Sequence, residues 1–181
     1  MTTRSDRYSE VAIALHWTIA ALIIFNLATG ILHDGLPKDW AVIPLHKTLG
    51  IIVLALTVVR IVWRLVNAPP AWPATMSKLE IGVARATHAV LYLLMVAVPF
   101  SGWMMSSNPE RPRPVSMFGL FDMPLLPSTP ALSGGAHEAH EVIGYAMAAL
   151  VLLHIAAALR HQWILRDRLM LRMMPARRAQ G

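Results

Sequence analysis

Four long apolar segments, separated by short polar connections, make up most of the chain. A helix needs about 20 apolar residues to cross the hydrocarbon core of a bilayer, and each segment is long enough to do so. The segments cover about residues 11–32, 45–66, 83–105 and 137–165. The pattern therefore predicts an all-α protein, a four-helix transmembrane bundle in which residues 1–181 form a single membrane domain.

The longest connection, residues 106–136, is rich in residues that interrupt helices. It carries six prolines, and Gly134 and Gly135 near its end are expected to lead into the fourth helix. Within it, residues 115–123 are expected to form a short amphipathic or interfacial turn.

The composition supports a membrane protein and excludes several kinds of site. Hydrophobic residues make up 56% of the chain, charged residues only 14%, and the mean hydropathy is +0.52. The absence of cysteine excludes disulfides, thiolate metal sites and covalently attached haem. The net charge of +6 does not indicate nucleic acid, because the basic residues flank the apolar segments as topology signals do. The expected partner is membrane lipid.

The distribution of Lys and Arg predicts the orientation of the bundle. Twelve of the 16 lie on the side that holds both chain ends: Arg4, Arg7, Arg60, Arg64, Lys78, Arg85, Arg160, Arg166, Arg168, Arg172, Arg177 and Arg178. The other side has Lys38, Lys47, Arg111 and Arg113. By the positive-inside rule, both termini are expected in the cytoplasm of a bacterial inner membrane. Arg60 and Arg64, one turn apart, are expected to snorkel to the cytoplasmic surface.

Histidines within the apolar segments are the strongest functional signal. His140 and His154 lie 14 residues apart in the fourth segment, so both point the same way, roughly 21 Å apart along one helix. Histidine inside a membrane is costly and is usually functional. Two imidazoles on one face, near opposite sides of the bilayer, suit a pair of stacked b-type haems.

Depth in the bilayer indicates which histidines pair. His16 matches His154 near the cytoplasmic side, and His46 matches His140 near the outer side. Each pair can hold one iron from opposite faces, as in low-spin bis-histidine haem. His88 also matches the depth of His154, so spacing alone leaves it as the rival of His16.

Several other residues are candidates for supporting roles. Small residues one turn from the predicted ligands would let a flat porphyrin approach the backbone, or would simply pack helix on helix: Gly50, Gly144 and Ala158. His161, at the cytoplasmic interface, is a candidate to bind a quinone head group or to take up its protons. Cationic Lys47, Arg111 and Arg113 are candidates to attract an anion to the outer face.

Most of the chain resembles the bacterial cytochrome b561 family of di-haem, four-helix membrane proteins. The resemblance lies in the basic start with its His-Trp pair, in the spacing of the histidines and in the Arg-Met-Met-Pro ending. These stretches are residues 7–17, 45–50, 87–94, 140–161 and 171–175. The resemblance implies that His16, His46, His140 and His154 ligate two haem b groups, which favours His16 over His88.

The resemblance also implies exchange of electrons with ubiquinone. It is nearest to the compact superoxide oxidase type, which takes electrons from superoxide outside and reduces quinone, and in which the position of His161 is linked to the quinone site. Two alternatives stay open at this point. One is an electron-transfer subunit between a dehydrogenase or hydrogenase partner and the quinone pool. The other is a haem-free helical membrane protein whose histidines hold helices together.

Overall fold

The computed structural model describes residues 7–73, 75–167 and 169–175, and four long helices account for most of them. The helices are α1 (Glu10–Leu32), α2 (Val42–Val66), α3 (Lys78–Ser106) and α4 (Pro130–Arg160). All four are long and apolar enough to cross a membrane. The protein is therefore the all-helical four-span membrane bundle that the hydrophobic pattern predicts. A single π-helical turn, His161–Leu165, extends α4.

Two helices begin earlier than hydropathy predicts, because polar caps set their starts. Ser77 and Glu80 form a reciprocal capping box at the start of α3. Thr129 caps α4, with Pro130 in its first turn. The fourth helix thus begins at Pro130 rather than near residue 137, and Gly134 and Gly135 lie inside it rather than before it.

The helices pack in chain order, α1 on α2, α2 on α3 and α3 on α4. Side chains from all four meet in one apolar cluster at the middle of the bundle, and many of the other large apolar side chains are exposed, as on a lipid-facing surface. The buried members of this central layer are Ile19, Ile23, Val53, Leu94, Met95 and Met147.

The connection between α3 and α4 folds back onto the bundle. A tight antiparallel turn joins Ser116 to Asp122, within residues 115–123, where a short amphipathic or interfacial turn was expected. Phe118 and Gly119 take positive φ values of 54° and 76° at its tip. The buried Thr48 hydroxyl of α2 donates to the Ser116 carbonyl at 2.7 Å, which fixes this turn over the ends of α2 and α3.

At the opposite end, the segment after α4 lies across the start of the chain. The Tyr8 N–H donates to the Arg172 carbonyl at 3.2 Å, and the Trp17 indole N–H donates to the Met173 carbonyl at 2.7 Å. The Arg172 side chain donates to the Ala71 carbonyl at 2.7 Å. The Arg-Met-Met-Pro ending therefore ties α1 to the α2–α3 connection. Four of the basic residues that predict the orientation of the bundle lie outside the described residues: Arg4, Arg168, Arg177 and Arg178.

Candidate functional site

Two groups of histidines lie at opposite ends of the bundle, on either side of the central apolar layer. The group at the end that carries the α1–α2 and α3–α4 connections, which we call outer after its predicted side, is His46, in the first turns of α2, and His140 of α4. We call the group at the other end inner. Their ring centroids are 6.1 Å apart, and the rings are nearly perpendicular at 84°. The two imidazoles therefore face each other between helices, as the depth argument predicts.

Three groups on one face of α1, which we call a seat, contact the ring of His46. Its Nδ1 lies 3.1 Å from the Asn26 carbonyl oxygen and 3.4 Å from the Thr29 hydroxyl. The ring lies so close to Gly30 that a Cβ there would meet the imidazole Cε1 at 3.0 Å. Only glycine leaves room for this ring at its present position.

An equivalent seat on α3 holds His140. Its Nδ1 lies 2.9 Å from the Val98 carbonyl oxygen and 3.2 Å from the Ser101 hydroxyl, and a Cβ on Gly102 would meet its Cε1 at 3.0 Å. Both seats thus consist of a carbonyl, a hydroxyl three residues later and a glycine four residues later. This spacing puts all three groups on one helix face.

The carbonyl oxygens determine which ring nitrogen carries the proton. A carbonyl only accepts hydrogen bonds, so Nδ1 of both His46 and His140 must be the protonated nitrogen. Nε2 then carries the lone pair, and no hydrogen bond among the described residues ends on it. Both outer imidazoles are therefore prepared to ligate a metal through Nε2.

The inner group contains three imidazoles. The ring of His154 lies 6.5 Å from that of His16, at 77°, and 5.6 Å from that of His88, at 67°. His88 also stacks on Trp72, with centroids 6.4 Å apart and planes at 22°. The structure thus brings both predicted rivals to His154.

Arg60 reaches the inner group of histidines from α2 instead of snorkelling to the cytoplasmic surface as predicted. Its Nη2 lies 3.4 Å from His16 Nδ1, its Nε donates to the Tyr92 hydroxyl at 3.0 Å, and its Nη1 donates to the Ala12 carbonyl at 3.4 Å. A neighbouring cavity of about 450 Å³ is lined in part by Arg60, Arg64 and Tyr92. His16 bound to a metal through Nε2 would keep its proton on Nδ1, so Arg60 acts there as a neighbouring charge rather than as a hydrogen-bond donor, whereas Nδ1 of the outer histidines faces carbonyls.

His161 forms a close pair with Asp167 at the C-terminal end of α4. Nδ1 of His161 lies 2.5 Å from Oδ2 of Asp167, and the two side chains are only 12% and 10% exposed. Burial alone would raise the pKa of Asp167, but hydrogen bonds from His161 and the Leu169 N–H outweigh it and hold that pKa below the usual value. Asp167 is therefore a carboxylate across the physiological range.

The remaining candidates lie at the outer surface. The Lys47 ammonium donates to the Arg113 carbonyl at 3.0 Å, which links α2 to the long connection. Arg111 and Arg113 are exposed. His33 Nδ1 donates to the Gly30 carbonyl at 2.8 Å and the His33 ring pairs with exposed Asp34 at 3.2 Å, while His137 is exposed on α4. These two histidines therefore belong to the surface.

The two His pairs fit the axial geometry of haem iron. Two imidazoles that share one iron through bonds of about 2 Å hold their ring centroids about 6 Å apart. The observed separations are 6.1 Å and 6.5 Å. Four apolar spanning helices with facing intramembrane histidines define the class of helical membrane cytochromes.

The chain belongs to the prokaryotic cytochrome b561 family, whose sequence profile matches residues 7–176. It is 31% identical to cytochrome b561 homolog 2 of Escherichia coli (strain K12), over 96% of this chain and 94% of that one. It is 32% identical to cytochrome b562 of Cereibacter sphaeroides, over 97% and 99% of the two chains. It is 30% identical to a probable superoxide oxidase of Yersinia pestis, over 95% and 98%.

Membership of this family makes the chain a bacterial membrane protein of electron transfer that binds b-type haem. The expectation of haem and electron transport is confirmed, and the haem-free alternative has no support.

Sequence reasoning missed several residues around these histidines. Small residues were sought one turn along the ligands' own helices, yet a Cβ on Gly144 would meet nothing within 4 Å, and one on Gly50 only Asn26 at 3.7 Å. The glycines that touch the imidazoles, Gly30 and Gly102, lie on the facing helices. The available signal was the repeated hydroxyl–glycine pair, Thr-Gly at 29–30 and Ser-Gly at 101–102.

Proposed function

We propose that this protein is a superoxide:ubiquinone oxidoreductase that holds two haem b groups. His46 and His140 ligate the outer haem, and His16 and His154 the inner one. The observation that carries the proposal is the pair of facing imidazoles at each end of the bundle, 6.1 Å and 6.5 Å apart, with a layer of apolar side chains between them. When bound, the haems supply one-electron chemistry.

His16 is preferred over His88 as the partner of His154. The resemblance to the cytochrome b561 family assigns the ligand role to the position of His16, and the ring of His88 is already stacked on Trp72. We assign His88 to packing around the site. We also propose that residues 1–181 form one membrane cytochrome b domain.

The overall reaction is balanced as follows. Two superoxide anions each lose one electron and leave as dioxygen, while ubiquinone gains two electrons and two protons to become ubiquinol. The protein has to attract an anion on one side, insulate the electrons from lipid and water, and deliver protons on the other side. Different residues are assigned to each of these three tasks.

At the outer end, the candidates to attract the anion are the cations Lys47, Arg111 and Arg113. Lys47 is next to His46 in the chain, and its ammonium reaches the Arg113 carbonyl at 3.0 Å. Arg111 and Arg113 are exposed on the adjoining connection. A cluster of positive charge raises the rate at which a small anion arrives, and this steering weakens as salt is added. We assign these residues to the attraction of superoxide.

At the inner end, the pair of His161 and Asp167 supplies protons. The carboxylate of Asp167 accepts from the His161 ring at 2.5 Å and is itself fixed by the Leu169 N–H at 3.0 Å. A carboxylate that orients an imidazole leaves its other nitrogen directed away, as in other acid–base pairs. We assign His161 to ubiquinone and Asp167 to the orientation of His161. This requires both chain termini to lie in the cytoplasm.

A second candidate function is that of an electron-transfer subunit for a dehydrogenase or hydrogenase partner. It is favoured by one observation: two of the relatives described above are named only as cytochromes, without an enzymatic activity. Such a subunit would hold the same haems, be inert to superoxide alone and co-purify with a soluble redox protein.

The test begins with a reduced-minus-oxidised absorption spectrum of the detergent-purified protein and a count of haem per chain. We expect two low-spin b haems, and about half of that haem in each of His16→Ala and His46→Ala, because one axial ligand is lost from one site. His88→Ala is the matched control and should keep both haems. Loss of a haem in His88→Ala together with full retention in His16→Ala would contradict the assignment.

The second step is to supply superoxide and follow the formation of ubiquinol. The holoprotein should form ubiquinol from superoxide without any protein partner. Neutralising Arg111 and Arg113 together should slow the reaction several-fold at low salt and flatten its salt dependence. A two-haem protein that is inert to superoxide would favour the electron-transfer subunit instead.

A further inference from the structure

The two His pairs differ in what faces the ring nitrogen that is turned away from the partner histidine. In the outer pair, Nδ1 of each ring faces a helix carbonyl, at 3.1 Å for His46 and 2.9 Å for His140. In the inner pair, Nδ1 of His16 faces the Arg60 guanidinium at 3.4 Å. No hydrogen bond among the described residues ends on either ring nitrogen of His154. The outer ligands thus donate to oxygen, while an inner ligand lies against a cation.

These surroundings act on a bound iron in opposite directions. An imidazole that donates its N–H to a carbonyl becomes a more basic ligand, which stabilises the oxidised metal and lowers the reduction potential. A positive charge against the imidazole stabilises the state with less positive charge, the reduced one, and raises the potential. The effect is large within a bundle, where water screens charges weakly.

We propose that Arg60, acting through His16, is a positioning residue that sets the reduction potential of the inner haem above that of the outer haem. This rests on the proposed function, in which both His pairs hold haem. The difference makes transfer of electrons from the outer to the inner end downhill, so that the direction from superoxide to ubiquinone is built into the protein.

The other nearby cations do not reverse this difference. The Lys47 ammonium, next to His46 in the chain, is held at the Arg113 carbonyl at 3.0 Å. Arg64 lies over the Tyr92 ring, 6.0 Å from its centroid, and lines a small cavity with His88, so its charge adds to that of Arg60 at the inner end. Arg60 itself is fixed by the Tyr92 hydroxyl and the Ala12 carbonyl, and it forms no ion pair among the described residues. Its charge therefore stays at His16.

The experiment is an optical redox titration of the purified holoprotein in four forms: wild type, Arg60→Leu, Arg60→Lys and Arg64→Leu. The haem that remains in His46→Ala identifies the inner component, and the one that remains in His16→Ala identifies the outer. In the wild type the inner component should have the higher potential. Arg60→Leu should lower it by about 59 mV, a tenfold change in equilibrium constant for one electron, and leave the outer component in place.

Two comparisons separate the charge from a structural effect. Arg60→Lys should restore most of the inner potential, and Arg64→Leu, which removes the same charge one turn away, should shift it much less. At the outer site, Thr29→Val with Ser101→Ala removes the hydroxyls beside both Nδ1 atoms and should raise the outer potential. The two sites should thus respond with opposite signs.

Several results would overturn the proposal. One is a wild-type protein whose inner component has the lower potential. Another is an Arg60→Leu variant in which the inner potential rises or stays unchanged while both haems are bound. Should Arg60→Leu bind too little haem to titrate, two other measurements decide: the order of the two wild-type potentials, and the inner potential of Tyr92→Phe, which removes the acceptor for Arg60 Nε. A protein with only one haem would instead contradict the proposed function.

Discussion

The outer and inner ends of the bundle use histidine in different ways. At the outer end, a carbonyl, a hydroxyl and a glycine form the same seat twice, once on α1 for His46 and once on α3 for His140. At the inner end, three imidazoles and Arg60 share one region, and no carbonyl of the described residues accepts a hydrogen bond from His16 or His154. The outer rings are thus held by hydrogen bonds to the backbone, whereas at the inner end a cation lies against one ring.

The comparison shows that two equivalent-looking pairs of ligands need not be equivalent sites. Depth and spacing make the pairs alike, because both depend only on positions along helices. What differs is the group beyond each ring, and that group controls ligand basicity and local charge.

The largest expected effect tests which end is which. The chain contains no cysteine, so single cysteines can be introduced without a background. Leu120→Cys, 83% exposed at the tip of the long connection, should react with a membrane-impermeant maleimide on intact spheroplasts. Leu79→Cys, 78% exposed at the start of α3, should react only after the membrane is opened. The reverse pattern would exchange the outer and inner ends and remove the proposed route for superoxide.

The next effect tests the seats. Valine at Gly30 or Gly102 would place side-chain carbons where the imidazole Cε1 now lies, since even a Cβ would meet it at 3.0 Å. Replacing glycine by alanine favours a helix by about 1 kcal/mol. A loss of haem would therefore come from the contact with the imidazole and not from the backbone. We expect Gly30→Val and Gly102→Val to lose about half of the haem, and the alanine variants less, as misplaced ligands do.

Glycines on the ligands' own helices provide the control for this experiment. A Cβ on Gly144 would meet nothing within 4 Å, and Gly144→Ala should keep the full haem content and both potentials. Haem loss in Gly144→Ala with none in Gly102→Val would mean that the seats do not hold the rings. The measurement is haem per chain, together with the spectrum of the haem that remains.

The fold could be predicted largely from hydropathy, because lipid requires long apolar helices and leaves few alternatives. The predicted second span starts within three residues of α2, and the first starts within one residue of α1. The start of α4 was missed because Thr129 and Pro130, which set it, precede two glycines that were interpreted as a connection. Local capping chemistry outweighed composition there.

The candidate site could be predicted only as far as each helix by itself allows. Spacing along α4 indicated His140 and His154, depth added His46 and left His16 and His88 as rivals, and the family resemblance favoured His16. The seats depend on which face of α1 meets α2 and which face of α3 meets α4, and nothing along one helix determines that. Arg60 was expected to snorkel to the cytoplasmic surface, because its position along α2 indicates its depth. That position does not reveal the Tyr92 hydroxyl, whose hydrogen bond turns the side chain into the bundle.

The last prediction concerns a rate and not the haem content, and it tests whether a His–Asp pair matters only at the inner end. Asp167→Asn keeps the size of the side chain but removes the charge that faces His161 at 2.5 Å. We expect ubiquinone reduction to fall about tenfold, with haem content unchanged, because the acid–base group is no longer oriented by a carboxylate. Asp34→Asn is the control, since its pair with His33 at the outer end is 3.2 Å long and exposed.

The pH dependence distinguishes a functional pair from a structural one. The lowered pKa of Asp167 means that the stability it contributes is fully present above the usual carboxyl pKa of about 4 and is lost only as pH falls through the lower folded-state value. The difference in unfolding temperature between wild type and Asp167→Asn should therefore be constant from about pH 5 to 8 and vanish in stronger acid. Equal rates of ubiquinone reduction in the two proteins across that range would reduce the pair to a structural contact that holds the end of α4.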